Sequence, residues 1–224
     1  MLNTDKVFTT TKFRSVLAAT LFLGLVASTQ ASTSYQQSPV DGGDAIFANA
    51  SSGAIIADNF SVGNSFNLES LSWWGSYDTN DSDNFIIHLH ADASGLLGTL
   101  IHDYSSISVS KTVTALTDIS NAPVYRYDFS LPTVVSLTAG NYYLSITNET
   151  TASGWYWLNG SGGDAQQWAL ASDGSTWTVG STNDLAFMVQ YTQTSAVPVP
   201  PAFLLMMSGL LVLGRKLRSS DPKR

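Results

Sequence analysis

The run Tyr125-Arg-Tyr-Asp-Phe-Ser-Leu131 alternates bulky and polar residues without a break. Such a pattern buries its bulky members together only in an extended strand, where successive side chains point to opposite faces. Tyr125, Tyr127, Phe129 and Leu131 then share one face, and Arg126, Asp128 and Ser130 the other. The same alternation recurs through Tyr142, Leu144 and Ile146 and through Phe187, Val189 and Tyr191. Further strands are expected over 54–62, 68–74, 85–90, 100–105, 111–116, 154–158 and 166–171. Between them stand turn formers: Asp41-Gly-Gly-Asp44, Ser94-Gly95, Ala139-Gly-Asn141, Gly160-Ser-Gly-Gly-Asp164 and Asp173-Gly-Ser175. No stretch between residues 32 and 195 sustains a helical period. Many short strands at this spacing predict an all-β domain, an antiparallel β-sandwich of jelly-roll or immunoglobulin-like form.

Charge narrows the partners. Between residues 32 and 195 lie fifteen acidic residues and two basic ones, Lys111 and Arg126, a formal balance of −13. A domain this negative repels phosphate backbones, so nucleic acid is not an expected partner. The chain has no cysteine, which excludes disulfides, thiolate metal sites and a cysteine nucleophile. Burial and hydrogen bonding must hold the fold, which is feasible for a domain of about 160 residues.

The two ends differ from the middle. Lys6, Lys12 and Arg14 precede an uncharged run from Ser15 to Val26, and small residues at Thr29 and Ala31 are followed by Ser32. A basic flank, a short apolar core and an A-x-A-like site form a secretory signal, used by the translocon and cut by signal peptidase between Ala31 and Ser32. The apolar core is too short to span comfortably a hydrocarbon layer of about 30 Å at about 1.5 Å per residue. At the other end, Val197-Pro198-Val199-Pro200-Pro201 leads into the apolar stretch Ala202 to Gly214 and then Arg215, Lys216 and Arg218. The prolines suit the start of a helix and not its interior. The helix is expected to enter the membrane, with the basic cluster as its cytoplasmic stop. The organisation is therefore a signal peptide over 1–31, a β-ectodomain over 32–195 and a sorting tail over 196–224.

This three-part tail resembles the PEP-CTERM sorting signal of Gram-negative bacteria, in particular the variant with a Val-Pro-Leu-Pro-Ala core. Pro198 and Pro200 match the motif prolines, Ala202 to Gly214 the helix, and Arg215, Lys216 and Arg218 the basic end. Val199 stands where the type motif has Glu, and Pro201 where the variant has Ala. The resemblance implies recognition by an exosortase-type transpeptidase, transient anchoring in the inner membrane, and release to the cell surface or extracellular matrix. The segments Leu71–Tyr77, Phe85–Asp92, Ala139–Ile146 and Trp155–Trp157 look like a β-sandwich ectodomain that recurs with such tails; no reaction comes with that likeness.

Within the domain the sequence offers candidates rather than a signature. Gly-x-Ser-x-Gly, phosphate-loop and dinucleotide motifs are missing from the sequence, and no enzymatic activity is expected. Trp73, Trp74, Trp155 and Trp157 could stack on sugar rings of a surface polysaccharide if exposed, which would make the protein a carbohydrate-binding adhesin; core packing is the more ordinary use of such residues. A secreted hydrolase is the third reading, and fifteen acids allow too many carboxylate pairs for it to name one. His88 and His90 share a strand face about 7 Å apart, Asp92 continues that face and Asp103 adjoins His102, so a metal-ligand set can be drawn; an ordinary exposed face accounts for them better. No cofactor is expected. The loop Asp78–Asn84 offers oxygen ligands for calcium but lacks the glycine and the glutamate of an EF-hand, so a solvated acidic turn is the expectation. From the signal segment the mature chain should begin at or near Ser32. N-terminal sequencing of surface-localised protein checks this, and recovery of residues 1–31 there would refute it.

Overall fold

The computed structural model describes residues 32–49, 53–79, 82–150, 153–171, 176–180 and 182–194, together with Met206, Gly209 and Leu210, which are helical. Ala31, the proline motif Val197–Pro201 and the basic residues Arg215, Lys216 and Arg218 lie outside the described residues. Among the described residues no helix is long and apolar enough to cross a membrane; the expected span falls almost wholly outside them.

The domain is all-β and its ladders are antiparallel, as the alternation predicts. The strands are β1 (Ser32–Pro39), β2 (Ala45–Phe47), β3 (Ile56–Val62), β4 (Phe66–Tyr77), β5 (Phe85–Asp92), β6 (Leu97–Tyr104) and β7 (Ser110–Thr117). They continue with β8 (Pro123–Leu137), β9 (Gly140–Asn148), β10 (Trp155–Ser161), β11 (Trp168–Leu170), β12 (Trp177–Val179), β13 (Asp184–Leu185) and β14 (Phe187–Gln193). One sheet runs β12-β11-β3-β9-β5-β6 and is curled; the other runs β13-β10-β1-β14-β4-β8-β7, with β2 on β10. Four strands of the second sheet close on themselves. β1 pairs with β14, β14 with β4, β4 with β10, and β10 returns to β1.

β10 makes the closure by dividing its length. Trp155 to Trp157 pair with Tyr77 to Gly75 of β4, while Gly160 and Ser161 pair with Pro39 and Ser38 of β1. Bulges between Gln190 and Tyr191 and between Leu68 and Ser70 bend β14 and β4 around the small ring. The result is a small four-stranded barrel joined to a curled six-stranded half-barrel, with one main core between them.

That core is aromatic. Phe85, from the curled sheet, sits 5.2 Å from Trp73, 4.8 Å from Tyr127 and 5.1 Å from Trp155, edge-on to each ring. Trp73 and Tyr127 stack at 5.5 Å. Such pairs add about 0.5–1.5 kcal/mol each beyond the area they bury. Trp74, on the opposite face of β4, enters a second apolar cluster with Val124, Leu158 and Ala186. β8 divides as its alternation requires: Tyr127 and Phe129 are buried in the main core, while Arg126 and Asp128 pair outside it at 2.7 Å.

Gly75 is a steric requirement of this packing, because a β-carbon there would lie 2.6 Å from atoms of the Trp155 indole. The rigid ring cannot withdraw without opening the ring of strands. Gly75→Ala should destabilise the protein by about 1–3 kcal/mol, whereas Gly63→Ala, with nothing within 4 Å of the added carbon, should stay within about 0.5 kcal/mol. Denaturant unfolding of the two variants beside the parent measures both.

Candidate functional site

The four candidate tryptophans are interior. Trp73, Trp155 and Trp157 are fully buried, and Trp74 is 6% exposed beneath the Arg126 guanidinium, 5.5 Å from its ring. This agrees with core packing and removes the alternative of these four rings offered to a sugar: the closed ring covers β4 and β10 where two neighbouring open strands would have left one face wet. Trp157 donates its indole N–H to the Ala186 carbonyl at 2.9 Å. Trp168 is also buried, edge-on to Tyr143 at 4.8 Å, and Trp177 is half-buried beside His90.

The histidines do not converge. His88 and His90 share a face of β5 with ring centroids 6.0 Å apart. His88 meets Asp103 of β6 at 3.5 Å, and the His90 Nδ1 meets the Gly98 carbonyl oxygen at 3.3 Å. His102 pairs in register with Leu89 and stacks on Tyr104 at 5.6 Å, away from the other two. Asp92 is taken by Tyr143 and by the backbone N–H of Gly95.

The acidic loop expected as a solvated turn has protein donors on its described carboxylates. Asp78 accepts the Gly154 N–H at 2.9 Å, and Asp83 accepts the Tyr77 hydroxyl and pairs with Lys111 at 3.3 Å. Nearby, Asp44, Tyr77, Asp78, Asp118, Ile119 and Tyr156 line an open cleft of about 510 Å³. Asp118 is committed there, accepting from Ser76 and from the N–H groups of Ser120 and Ala122.

A different set of acids forms the tightest cluster. In β3, the inward positions of Ile56-Ala-Asp-Asn-Phe-Ser-Val62 are Ile56, Asp58, Phe60 and Val62, so a carboxylate stands in a row of core residues. Asp58 is fully buried there. Asp184 arrives from β13, and Asp164 from the loop after β10. One oxygen of each lies within 4.8 Å of the others, with Asp58 and Asp184 buried and Asp164 exposed. Among the described residues this is the one group of three potential metal ligands so close together.

Each carboxylate oxygen is held by one N–H donor. Asp58 accepts from the backbone of Asn59 at 2.6 Å and of Leu185 at 2.5 Å. Asp184 accepts from Gly163 at 2.8 Å and Ala165 at 2.6 Å, which wraps the loop around it. Asp164 accepts from the Gln166 backbone at 3.0 Å and from Asn59 Nδ2 at 2.8 Å. Gln37 of β1, fully buried, donates to the Tyr35 hydroxyl at 3.2 Å and to the Asn59 carbonyl at 3.1 Å. Its side-chain oxygen, Oε1, has no partner. The three acids can therefore share charge with a proton or a hard cation.

Compared with known proteins, the chain matches no family, and no curated protein is similar to it.

Burial pushes the Asp58 carboxyl from 3.8 up to about 8, with Asp184 and Asp164 adding to the rise and the N–H groups of Leu185 and Asn59 opposing it. Between about pH 4 and pH 8 the folded chain then holds a proton that the unfolded chain has lost, so this group's contribution to stability falls as pH rises through that window. His90, which burial holds below its usual range, acts in the opposite sense, its contribution rising with pH up to that range. In buffer stripped of divalent ions, Asp58→Asn should therefore unfold at a temperature less dependent on pH between 5 and 8 than the parent. Thermal melts of both proteins across that range test the difference.

Proposed function

We propose that the chain is an exported, non-catalytic surface or extracellular-matrix protein, whose acidic β-domain is carried through the inner membrane and delivered by its tail. In this reading the translocon and signal peptidase act at the first end and an exosortase-type transpeptidase at the second. The observation that carries it is the pairing of the domain's own ends: Ser32 lies opposite Thr192 in the β1–β14 ladder. A signal segment and a tail, as read from the sequence, would thus join the domain at one pole. A domain attached this way can hang from a membrane by either end without reorienting.

The paired sheets fit a β-sandwich variant in which one layer has closed into a ring. Adhesion to a surface polysaccharide is the second reading, and with the tryptophans interior its support moves to the cleft beside half-buried Tyr156, where a ring and the carboxylates of Asp44 and Asp78 stand together.

A proline disfavours helix in the residue before it, so Pro198 and Pro200 suit a cleavage site and add nothing to a permanent anchor. The mature surface form should lack the residues after about Pro201. Replacing both prolines, Pro198→Ala with Pro200→Ala, should cause a full-length, membrane-retained chain to accumulate. Mass spectrometry finding Leu217–Arg224 on most surface protein would overturn tail removal and leave a plain membrane anchor.

A further inference from the structure

We propose that Asp58, Asp164 and Asp184, with the side-chain oxygen of Gln37, form a calcium site that pins β3 to β13 and to the loop after β10. Three observations meet at this place. The carboxylates approach within 4.8 Å, yet the domain's two basic residues are engaged elsewhere, Lys111 at Asp83 and Arg126 at Asp128. With no positive neighbour, the two buried acids and the exposed Asp164 repel one another whenever all three are ionised, so the cluster needs a proton or a cation.

The second observation is the orphaned Gln37 oxygen, on a side chain with no exposure to solvent. A buried acceptor without a donor costs about 1–3 kcal/mol, and a cation supplies what it lacks. The amide borders the cluster: its nitrogen is bonded to the carbonyl of Asn59, whose own side chain holds Asp164.

The third is Gly163. A β-carbon there would collide with the Gln37 amide nitrogen and sit 2.6 Å from Asp184 Oδ1. Gln37 and Asp184 therefore border the same small space, which any larger residue would fill.

The donors are all hard oxygens: three carboxylates and one amide. Each carboxylate oxygen is oriented by a single N–H and keeps a second lone pair. This chemistry suits calcium, which takes 6–8 oxygens at about 2.3–2.6 Å in flexible geometry and accepts waters for the remainder. Magnesium demands a tighter octahedron and gives up its waters reluctantly. The site stands whether or not the tail is processed as proposed above.

Calcium titrated into the chelator-treated full-length chain in detergent should bind at one site per chain, with a dissociation constant of about 10⁻⁴–10⁻³ M. It should raise the unfolding temperature by a few degrees at tenfold excess over that value. Asp164→Asn, on an exposed loop, should keep the fold and weaken calcium binding at least about tenfold. Asp103→Asn, which removes one negative charge at a distant strand, should leave it unchanged. No calcium-dependent heat or thermal shift up to about 10 mM, roughly ten times the weakest of those values, would overturn the proposal. So would equal loss of binding in both variants, full binding in Asp164→Asn, or a magnesium response equal to that of calcium.

Discussion

Phe85 is the one ring that the curled sheet inserts among Trp73, Tyr127 and Trp155, and the rest of the domain is arranged so that this contact can form. Without cysteine there is no covalent tie between the sheets, and burial must supply the connection. Trp155 meets Phe85 only by lying flat over Gly75, and that brings β10 against β4. Once there, β10 can continue past β4 and join β1. The closed ring is thus a consequence of aromatic packing as much as of strand pairing.

A domain with so few basic residues has to manage its carboxylates by other means, and it uses the backbone. Asp118 collects two N–H groups and the Ser76 hydroxyl, Asp184 two N–H groups, and Asp58 two more. Loops are shaped by these bonds, so the acids serve as turn templates. The practice works for a single carboxylate. It leaves a residual repulsion where three meet, and that is the place where a proton or a cation has most to contribute.

Strands whose buried residues are large and apolar were legible in the sequence, and β4, β5, β8, β9 and β14 lie where alternation puts them. β1 was not, because Ser-Thr-Ser-Tyr-Gln-Gln-Ser-Pro carries only Tyr35 as a bulky inward residue, and its inward glutamine reads as a surface residue. β2, β12 and β13, of two or three residues each, are too short for any period to emerge. The ring closure was invisible for a different reason: it depends on β10 pairing with different partners at its two ends, which is a tertiary choice. That choice also decided the tryptophans, since alternation told that Trp73 and Trp74 face opposite ways but not that both ways are covered. Asp58 did leave a signal, an acid at an inward position between Ile56 and Phe60. Asp164 and Asp184, in contrast, look like ordinary turn residues until the loop is folded around them.

The β1–β14 ladder bears on how the domain would respond to load. β14 runs into the tail and has a neighbour on each edge, with β1 bonded along 187–192 and β4 along 187–193. A pull transmitted through the residues after Thr194 acts along the strand axis, so it shears both ladders together and does not peel them one pair at a time. Rupture then requires many bonds to fail at once, and the relevant resistance is the barrier to unfolding more than the equilibrium stability. A domain loaded through this strand is a mechanical coupling, stiff along the axis of β14.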